Sequence, residues 1–349
     1  MVRSSSSRRL CALAVLLQLW AMVGVAGSLP SRTASAQTPG RTQVLDAEGP
    51  PSLPGLAHRD VEGRIEVMVA GAEPTDVTSV EPFEGQLAWV YATRWQVEFP
   101  LAQRRWYFGL AHDWAAASVP SGPTPGSGGS TWVLGNPELW GRGIWSSQLG
   151  LAAGGGCGLV LPLPRTFSGL EQEVVRAARV IRPWDYGHFQ DLTMTARPFF
   201  DLRHAVGPVT LQMRQGLDVS VLLRDQRDLE NRYDLSALVS LFAGVRALRW
   251  VSLGLELQEL YAITADVSSP GCPAPCDGHR ATVTLAPIVA ANLGRISLAT
   301  SVLLPLSTPL RAEVASFVAG RLHLTFALPW PAEPAEPTPR AAGVPAPVL

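Results

Sequence analysis

The chain has 349 residues, of which 47% are hydrophobic and only 16% are charged, and its formal net charge is -1. The charged share is low against about 25% in typical globular proteins. A net charge this close to zero argues against nucleic acid or another polyanion as a partner. Glycine (32) and proline (30) are frequent, which favours many short turns over long helices. A soluble β-sandwich and a proline-rich, partly disordered surface protein are rival interpretations of this composition.

The N-terminus carries the pattern of an export signal. Basic residues precede an apolar run at residues 10–25, and small residues follow it. This pattern predicts a secretory signal peptide over residues 1–36, read by the Sec pathway and cut after Gly27 or after Ala36. A membrane anchor is the alternative, but the run is shorter than the roughly 20 residues of a spanning helix.

Two further segments lack hydrophobic periodicity. Residues 37–61 are rich in Pro, Gly and Ser and are predicted to form a flexible periplasmic lead-in. Residues 329–349 are rich in Pro and Ala and are predicted to be a disordered tail. The region between them, residues 62–328, is the predicted folded domain.

Residues 209–224 alternate strictly between two kinds of side chain. Odd positions are almost all apolar, whereas even positions include Arg214, Asp218 and Arg224. A strand points alternate side chains to opposite faces, so this segment has one oily face and one charged face. It is also longer than an ordinary strand of about five or six residues. Such a strand suits the wall of a bacterial outer-membrane barrel, with lipid on one side and water on the other.

Segments of the same kind recur along the whole region. They lie at residues 63–70, 83–99, 106–117, 132–145, 148–161, 191–204, 234–246, 251–261, 280–292, 296–306 and 314–326. Tight and long connections alternate between them, as periplasmic turns and outer loops do in such barrels. Many of the segments end on aromatic residues, which is typical of interfacial girdles. The prediction is an all-β fold: a single antiparallel up-and-down transmembrane β-barrel of about twelve strands.

One short helix is predicted in the longest connection. Residues 168–182 place apolar side chains on one helical stripe, Ser168 and Glu171 have the spacing of a capping box, and Pro183 ends the helix. Two positions are open for it. It either folds into the barrel mouth as a constriction near the bare face of the glycine-rich segment 150–158, or lies across an outer loop. As a constriction it would favour anions through its basic residues, which are Arg176, Arg179 and Arg182.

The faces predicted to point inward carry charges of both signs. The candidate pore-lining residues are Arg94, Glu98, Asp113, Arg197, Asp201, Arg203, Arg214, Asp218, Arg224, Arg246 and Glu256. One interpretation is a pore whose rings of charge filter solutes. The other is a network of ion pairs that only braces a narrow lumen.

Other chemistry is weakly supported. Cys272 and Cys276 are candidates for a small-loop disulfide in an oxidising compartment, since a metal site would need ligands beyond the nearby His279. The neighbouring His112 and Asp113 face opposite sides of a strand and cannot form a catalytic dyad. No phosphate loop, metal-ligand cluster or nucleotide fingerprint is present in the sequence, so neither an enzyme nor a cofactor is expected.

A local motif carries a resemblance to a known family. Residues 134–137 read LGNP, Gly141 follows, and the glycine-rich strand after it ends in LPLP at residues 161–164. With the barrel pattern over residues 63–326, the chain resembles bacterial outer-membrane β-barrels. It is most similar to the porin-like twelve-stranded transporters grouped with phenol-degradation pathway channels. Such barrels end on an aromatic residue, a part that Phe326 can play, although the tail beyond it departs from the pattern.

The resemblance implies a location and a function. It implies residence in the bacterial outer membrane, with outer-membrane lipid, the barrel assembly machinery and small solutes as partners. The predicted function is a channel for passive passage of small solutes through a lumen lined with Arg and Asp/Glu. The alternative is a structural or adhesive barrel with a plugged lumen.

Overall fold

The structure is a computed structural model that describes residues 60–74, 88–101, 105–119, 129–146, 151–163, 167–223, 233–264, 281–307 and 314–329. The predicted signal peptide, the candidate disulfide Cys272–Cys276, Arg224 and nearly all of the predicted lead-in and tail lie outside these residues. Within them, no helix has the length and apolar character needed to cross a membrane.

Most of the described chain is β-strand. The strands are β1 (Val61–Pro74), β2 (Ala88–Pro100), β3 (Trp106–Val119), β4 (Gly129–Leu134), β5 (Glu138–Ser146), β6 (Leu151–Val160), β7 (Thr193–Val206), β8 (Val209–Leu222), β9 (Tyr233–Arg246), β10 (Val251–Ala262), β11 (Ala281–Asn292), β12 (Ile296–Pro305) and β13 (Val314–Leu328). Twelve of them pair with their neighbours and close into an antiparallel barrel through the β1–β13 and β1–β2 pairs. The predicted twelve-stranded barrel is confirmed, with β4 as one extra strand that pairs with β3.

The two ends of the barrel differ in their connections. Short turns join β7 to β8, β9 to β10 and β11 to β12, and Gly207 and Gly294 in two of them adopt positive φ angles of 58° and 82°. Glycine suits such positions because it lacks a Cβ. We call this the turn end and the opposite end the loop end. The alternation of short and long connections predicts that the turn end faces the periplasm.

The side chains that alternate along the sequence point in turn to the inner and the outer surface of the barrel. In β8, Thr210, Gln212 and Asp218 are buried in the barrel interior, whereas Val209 and Leu211 are exposed on the outer surface. Exposed aromatic side chains rim both ends of the outer surface, among them Trp89, Trp106, Trp132, Trp145, Tyr233 and Trp250. An apolar wall with aromatic rims is the surface that a bilayer requires.

Leu217 tests this assignment, because it lies near the middle of β8 on the outer face. Replacing Leu217 with arginine is expected to impair assembly, since a guanidinium facing lipid at mid-membrane costs about 2–4 kcal/mol. Replacing the inward-facing Arg214 with alanine is the matched control and should leave assembly intact while altering conduction. The measurement is the yield of heat-modifiable barrel in outer membranes. Equal yields for Leu217→Arg and the wild type would contradict the assignment.

The predicted single strand at residues 132–145 is interrupted in the structure. Residues 135–137 separate β4 from β5, and the inward positions change from odd to even across the break, from Val133 to Glu138. Here the backbone N–H of Gly135 bonds to the carbonyl of Asp113, and that of Asn136 bonds to the carbonyl of His188. Pro137 has no N–H to donate. The N–H of Gly135 therefore still bonds to β3, whereas that of Asn136 leaves the ladder, and the prediction of one unbroken strand is wrong at this point.

The predicted helix forms, with a different start and an unpredicted extension. Helix α1 spans Leu170–Ile181. Its N-cap is Gly169, without a side-chain cap, so the predicted capping box is wrong: Ser168 accepts a bond from the N–H of Glu171 through its backbone carbonyl. Pro183 ends α1 as predicted and begins a 3-10 helix, Pro183–Phe189.

The residues from Phe167 to Gln190, which we call the inward segment, lie inside the barrel. The apolar side of α1 packs with Phe189 against the inner faces of strands in the loop half. The buried strand residues in this contact include Met68, Ala70, Val90, Ala92, Ala115, Ala117, Val133, Leu303, Phe317 and Ala319. Most of them are small, which leaves room for a helix within the barrel. The alternative of a helix lying across an outer loop is therefore wrong.

The bare glycine face of β6 does not receive α1. A Cβ added at Gly156 would lie 2.8 Å from Arg142 Cβ and from Phe199 Cζ, and a Cβ added at Gly158 would collide with the carboxylate of Glu138. These glycines make space for large inward side chains of the adjacent β5 and β7. The predicted resting place of the helix is wrong because the neighbouring strands already fill that space.

Candidate functional site

A cluster of charged strand residues lies at one level of the lumen, beside the inward segment. Register places Glu66 of β1 opposite Arg94 of β2, and Arg94 opposite Asp113 of β3. Glu138 at the start of β5 reaches the same group, with its Oε2 2.7 Å from Arg94 Nη2 and 3.4 Å from Arg197 Nη1. Ion pairs thereby join the inward faces of four strands, β2, β3, β5 and β7, and Glu66 of β1 lies beside them.

Arg182 carries the inward segment into this cluster. Its guanidinium is fully buried, with Nη2 2.6 Å from Asp185 Oδ2 and 3.1 Å from Glu66 Oε1. Nη1 lies 3.4 Å from Asp113 Oδ1. Burial alone would lower the pKa of Arg182, but the three carboxylates raise it above the usual value. Arg182 is therefore a permanent cation among carboxylates of the wall.

His188 makes a second cationic contact from the same segment. Its Nδ1 lies 2.7 Å from Asp113 Oδ2 and its Nε2 lies 3.2 Å from Glu138 Oε2, and the ring is fully buried. Burial by itself lowers the pKa of this imidazole, whereas the charge of Asp113 and the hydrogen bonds to Asp113 and Glu138 raise it to about 9. His188 is therefore an imidazolium at neutral pH.

Asp185 is the anionic member of the inward segment. Its Oδ1 lies 2.5 Å from Arg94 Nη1 and 3.7 Å from Arg197 Nη1. Burial raises the pKa of this carboxyl, but the guanidiniums of Arg94 and Arg182 lower it below its ordinary value. The backbone carbonyl of Trp184 also accepts a hydrogen bond from Arg197. The 3-10 helix is thus bound to β2 and β7 as well as to β3 and β5.

The motif at residues 134–137 anchors this helix to the wall. Asn136 Nδ2 donates to the carbonyl of Gln190 at 2.8 Å, and Asn136 Oδ1 accepts from the N–H of Leu163 at 3.1 Å. The break between β4 and β5 therefore lets the strand contact both ends of the connection that folds inward.

A second group of charges lies nearer the turn end. Glu98 pairs with Arg142 at 2.5 Å and accepts a hydrogen bond from the indole N–H of Trp140. Arg214 Nε lies 2.9 Å from Asp201 Oδ1, and its guanidinium sits 4.3 Å from the ring centre of Phe199.

A third pair lies on the opposite side of the lumen. Arg321 Nη2 is 2.9 Å from Glu256 Oε2, and both side chains are fully buried. Ser240 donates to Glu256, and Arg321 donates to Ser301. The guanidinium of Arg321 also lies 5.8 Å from the ring centre of Trp184 in the inward segment.

A cavity of about 150 Å³ lies within the lumen beside these groups. Charged side chains form one side, including Arg94, Arg197 and Asp218, whose Oδ1 lies 3.0 Å from Arg197 Nε. The other side has hydroxyl, amide and apolar side chains, namely Leu238, Ser240, Gln258, Leu260 and Thr282. Space for a small solute therefore lies between two chemically different walls.

The structure places most of the candidate pore-lining residues on inner faces. The residues buried or partly buried there are Arg94, Glu98, Asp113, Arg197, Asp201, Arg203, Arg214, Asp218 and Glu256. Arg246 is instead exposed, at the last position of β9 on the turn end. Their role in lining a pore stays a prediction, because ion pairing alone is equally compatible with bracing.

The candidate constriction residues have different surroundings. Arg182 is buried among carboxylates, and Arg179 donates to the carbonyl of Phe189 within the inward segment. The side chain of Arg176 lies outside the described part of the structure. His112 and Asp113 do face opposite sides, and Asp201 and His204 are likewise separated, with His204 exposed.

Sequence reasoning missed four members of the charged cluster: Glu66, Glu138, Asp185 and His188. Glu66 lies at an inward, even position of β1 and could have been found from the alternation. Glu138 was missed because the inward-facing positions change from odd to even after Pro137. Asp185 and His188 lie in a connection, where no strand pattern indicates which way a side chain points.

Comparisons with known proteins show the fold. No protein-family model matches the chain, and no curated protein matches it in sequence. A solved outer-membrane channel from Pseudomonas putida F1 aligns with a TM-score of 0.55 at 11% identity, over 81% of this chain and 98% of that one. A Pseudomonas aeruginosa FadL homologue aligns with a TM-score of 0.39 at 9% identity, over 83% and 97% of the two chains. The TodX monoaromatic hydrocarbon channel aligns with a TM-score of 0.41 at 11% identity, over 78% and 91%.

The first of these alignments confirms the predicted resemblance at the level of fold. The closed barrel, its apolar outer wall and its aromatic rims define a bacterial outer-membrane β-barrel protein.

Proposed function

We propose that the protein is an outer-membrane channel for passive passage of small solutes, and that the inward segment holds it closed. The cavity beside the inward segment carries this proposal, because strand residues of both signs line it and leave space for a solute. The proposed path runs along Arg94, Arg197, Arg214 and Asp218. Rings of charge at such a position filter solutes by sign and size.

The inward segment is the proposed constriction. It is held by two kinds of contact, the apolar packing of α1 and the ion pairs of Arg182, Asp185 and His188. Buried ion pairs contribute little net stability because desolvation of the charges offsets their attraction. A segment held partly by such pairs suits a closure that has to be reversible.

Conductance in planar bilayers tests the proposal. Deleting residues 167–190 leaves residues 161–166 and 191–192 to connect β6 and β7, which are hydrogen-bonded neighbours. The deletion variant is expected to conduct strongly and the full chain weakly or intermittently. If both proteins run as folded, heat-modifiable barrels and neither conducts ions nor swells liposomes in small sugars, the channel proposal is wrong.

The burial of the charged cluster favours a second candidate, a structural or adhesive barrel with a permanently plugged lumen. Arg182, Asp113 and His188 have fully buried side chains, so water does not reach these three groups in the closed state. Under this alternative the deletion variant conducts, but the full chain never does under any voltage, pH or solute condition.

A further inference from the structure

The inward segment and the wall around it have opposite charge. At the level of the segment, the strands present four carboxylates, on Glu66, Asp113, Glu138 and Asp218. They present guanidiniums on Arg94 and Arg197, and that of Arg321 near Trp184 is balanced by Glu256. With all of these groups charged, the wall at this level has a net charge of -2.

The inward segment supplies the missing positive charge. It brings Arg182 and His188 against one buried carboxylate of its own, Asp185. Arg182 contacts Glu66 and Asp113, and His188 contacts Asp113 and Glu138. Both cations therefore point at carboxylates that belong to the wall.

The other ion pairs on the inner face do not offset this excess of negative charge. Four further inner carboxylates have guanidinium partners, namely Glu98 with Arg142, Asp201 with Arg214, Glu256 with Arg321 and Glu62 with Arg64. Arg203 lies further toward the turn end on β7, beyond Asp201. The unbalanced carboxylates are thus concentrated where the segment docks.

We infer that the lumen prefers cations once the inward segment is displaced, and that the wall carboxylates Glu66, Asp113, Glu138 and Asp218 determine this preference together. In the closed state Arg182 and His188 act as tethered cations, and they occupy the position that a permeating cation would take. The inference deepens the proposed function and rests on it, because selectivity requires a conducting state. It reverses the anion preference that the arginines of the connection predict from sequence alone.

Reversal potentials measured in a KCl gradient test the inference on the variant that lacks residues 167–190. The expected reversal potential has the sign of preferential potassium permeation. Adding Glu138→Gln should move it about halfway to zero, since one of two excess charges is removed. Asp113→Asn should have a similar effect. Glu259→Gln is the matched control: its carboxylate is exposed on the outer face of β10, so the potential should not change.

The outcomes separate the two proposals. A conducting deletion variant with no preference, or with a preference for chloride, overturns the cation inference and leaves the channel proposal standing. A folded deletion variant that does not conduct overturns both. If the deletion prevents folding, Phe189→Ala in the full chain loosens the segment without changing its charge, because Phe189 is a fully buried apolar contact. The same reversal potential is then measured on its open events.

Discussion

Replacing Arg182 with alanine is expected to release the inward segment and to increase the time that the channel spends open. Arg182 is fully buried, and its removal leaves Glu66, Asp113 and Asp185 without their shared cation. Breaking a buried ion pair by removing one partner costs about 3–5 kcal/mol. Since about 1.4 kcal/mol corresponds to a factor of ten, the released population should rise by roughly two to three and a half orders of magnitude.

Single-channel recording measures this effect as open probability. Arg182→Lys is the conservative variant and should restore part of the closure, because it retains the charge but loses the fork geometry that contacts several carboxylates. Arg179→Ala is the control on the same helix and should open the channel less, since Arg179 donates to the backbone carbonyl of Phe189 within its own segment. An Arg182→Ala variant with the open probability of the wild type would show that the ion pairs do not hold the segment.

Raising the pH from about 6.5 to above 9 is expected to open the channel progressively. The pKa of His188 is about 9 in the docked segment, against about 6.5 for a histidine in water. Protonation therefore stabilises docking fully below about pH 6.5, and this contribution is lost as the pH rises through 9. The difference in pKa corresponds to about 3 kcal/mol as an order of magnitude.

Five charged groups lie near the His188 ring, and its titration can be measured without interference from lysine side chains. Asp113 on β3, Glu138 on β5, Arg94 on β2, Arg197 on β7 and Asp185 on its own helix are the groups near the ring. All 28 basic residues of the chain are arginines, so no lysine side chain titrates in the same interval. His188→Gln should conduct at neutral pH and lose most of the pH dependence. The two pKa values are about 6.5 and about 9, so a wild-type open probability that is constant from about pH 6 to about pH 10, or that falls with pH, would contradict this role.

The barrel was predictable from sequence because the pattern that each strand requires lies within that strand's own residues. A strand with lipid on one side and polar groups on the other must alternate apolar and polar side chains. Each of the twelve barrel strands can therefore be recognised in the sequence. The break at residues 135–137 left a trace as well. Trp132 and Trp145 both lie on the outer face, but their positions differ by 13, an odd number, which no unbroken strand allows. Checking whether the outward-facing aromatic residues fall on odd or on even positions would have revealed the break.

The candidate site was predictable only in part. Arg94, Asp113 and Arg197 follow from the alternation of their strands, but their partners in the inward segment do not. Arg182 and His188 lie in a connection, and their positions depend on how α1 packs across strands that are far away in the chain. The small inner residues of β1, β2 and β3 indicate in retrospect that the loop half was built to receive a helix.

The closure of the barrel has a consequence for the order of assembly. The first strand pairs with the last, and α1 packs against inner residues of both ends of the chain, such as Ala70 and Phe317. Trp184 likewise meets Arg321 of β13. The pocket for the inward segment is therefore incomplete until β1 and β13 have paired. The segment is fixed in place by the same step that seals the wall, so an intermediate that lacks β13 holds it only from one side.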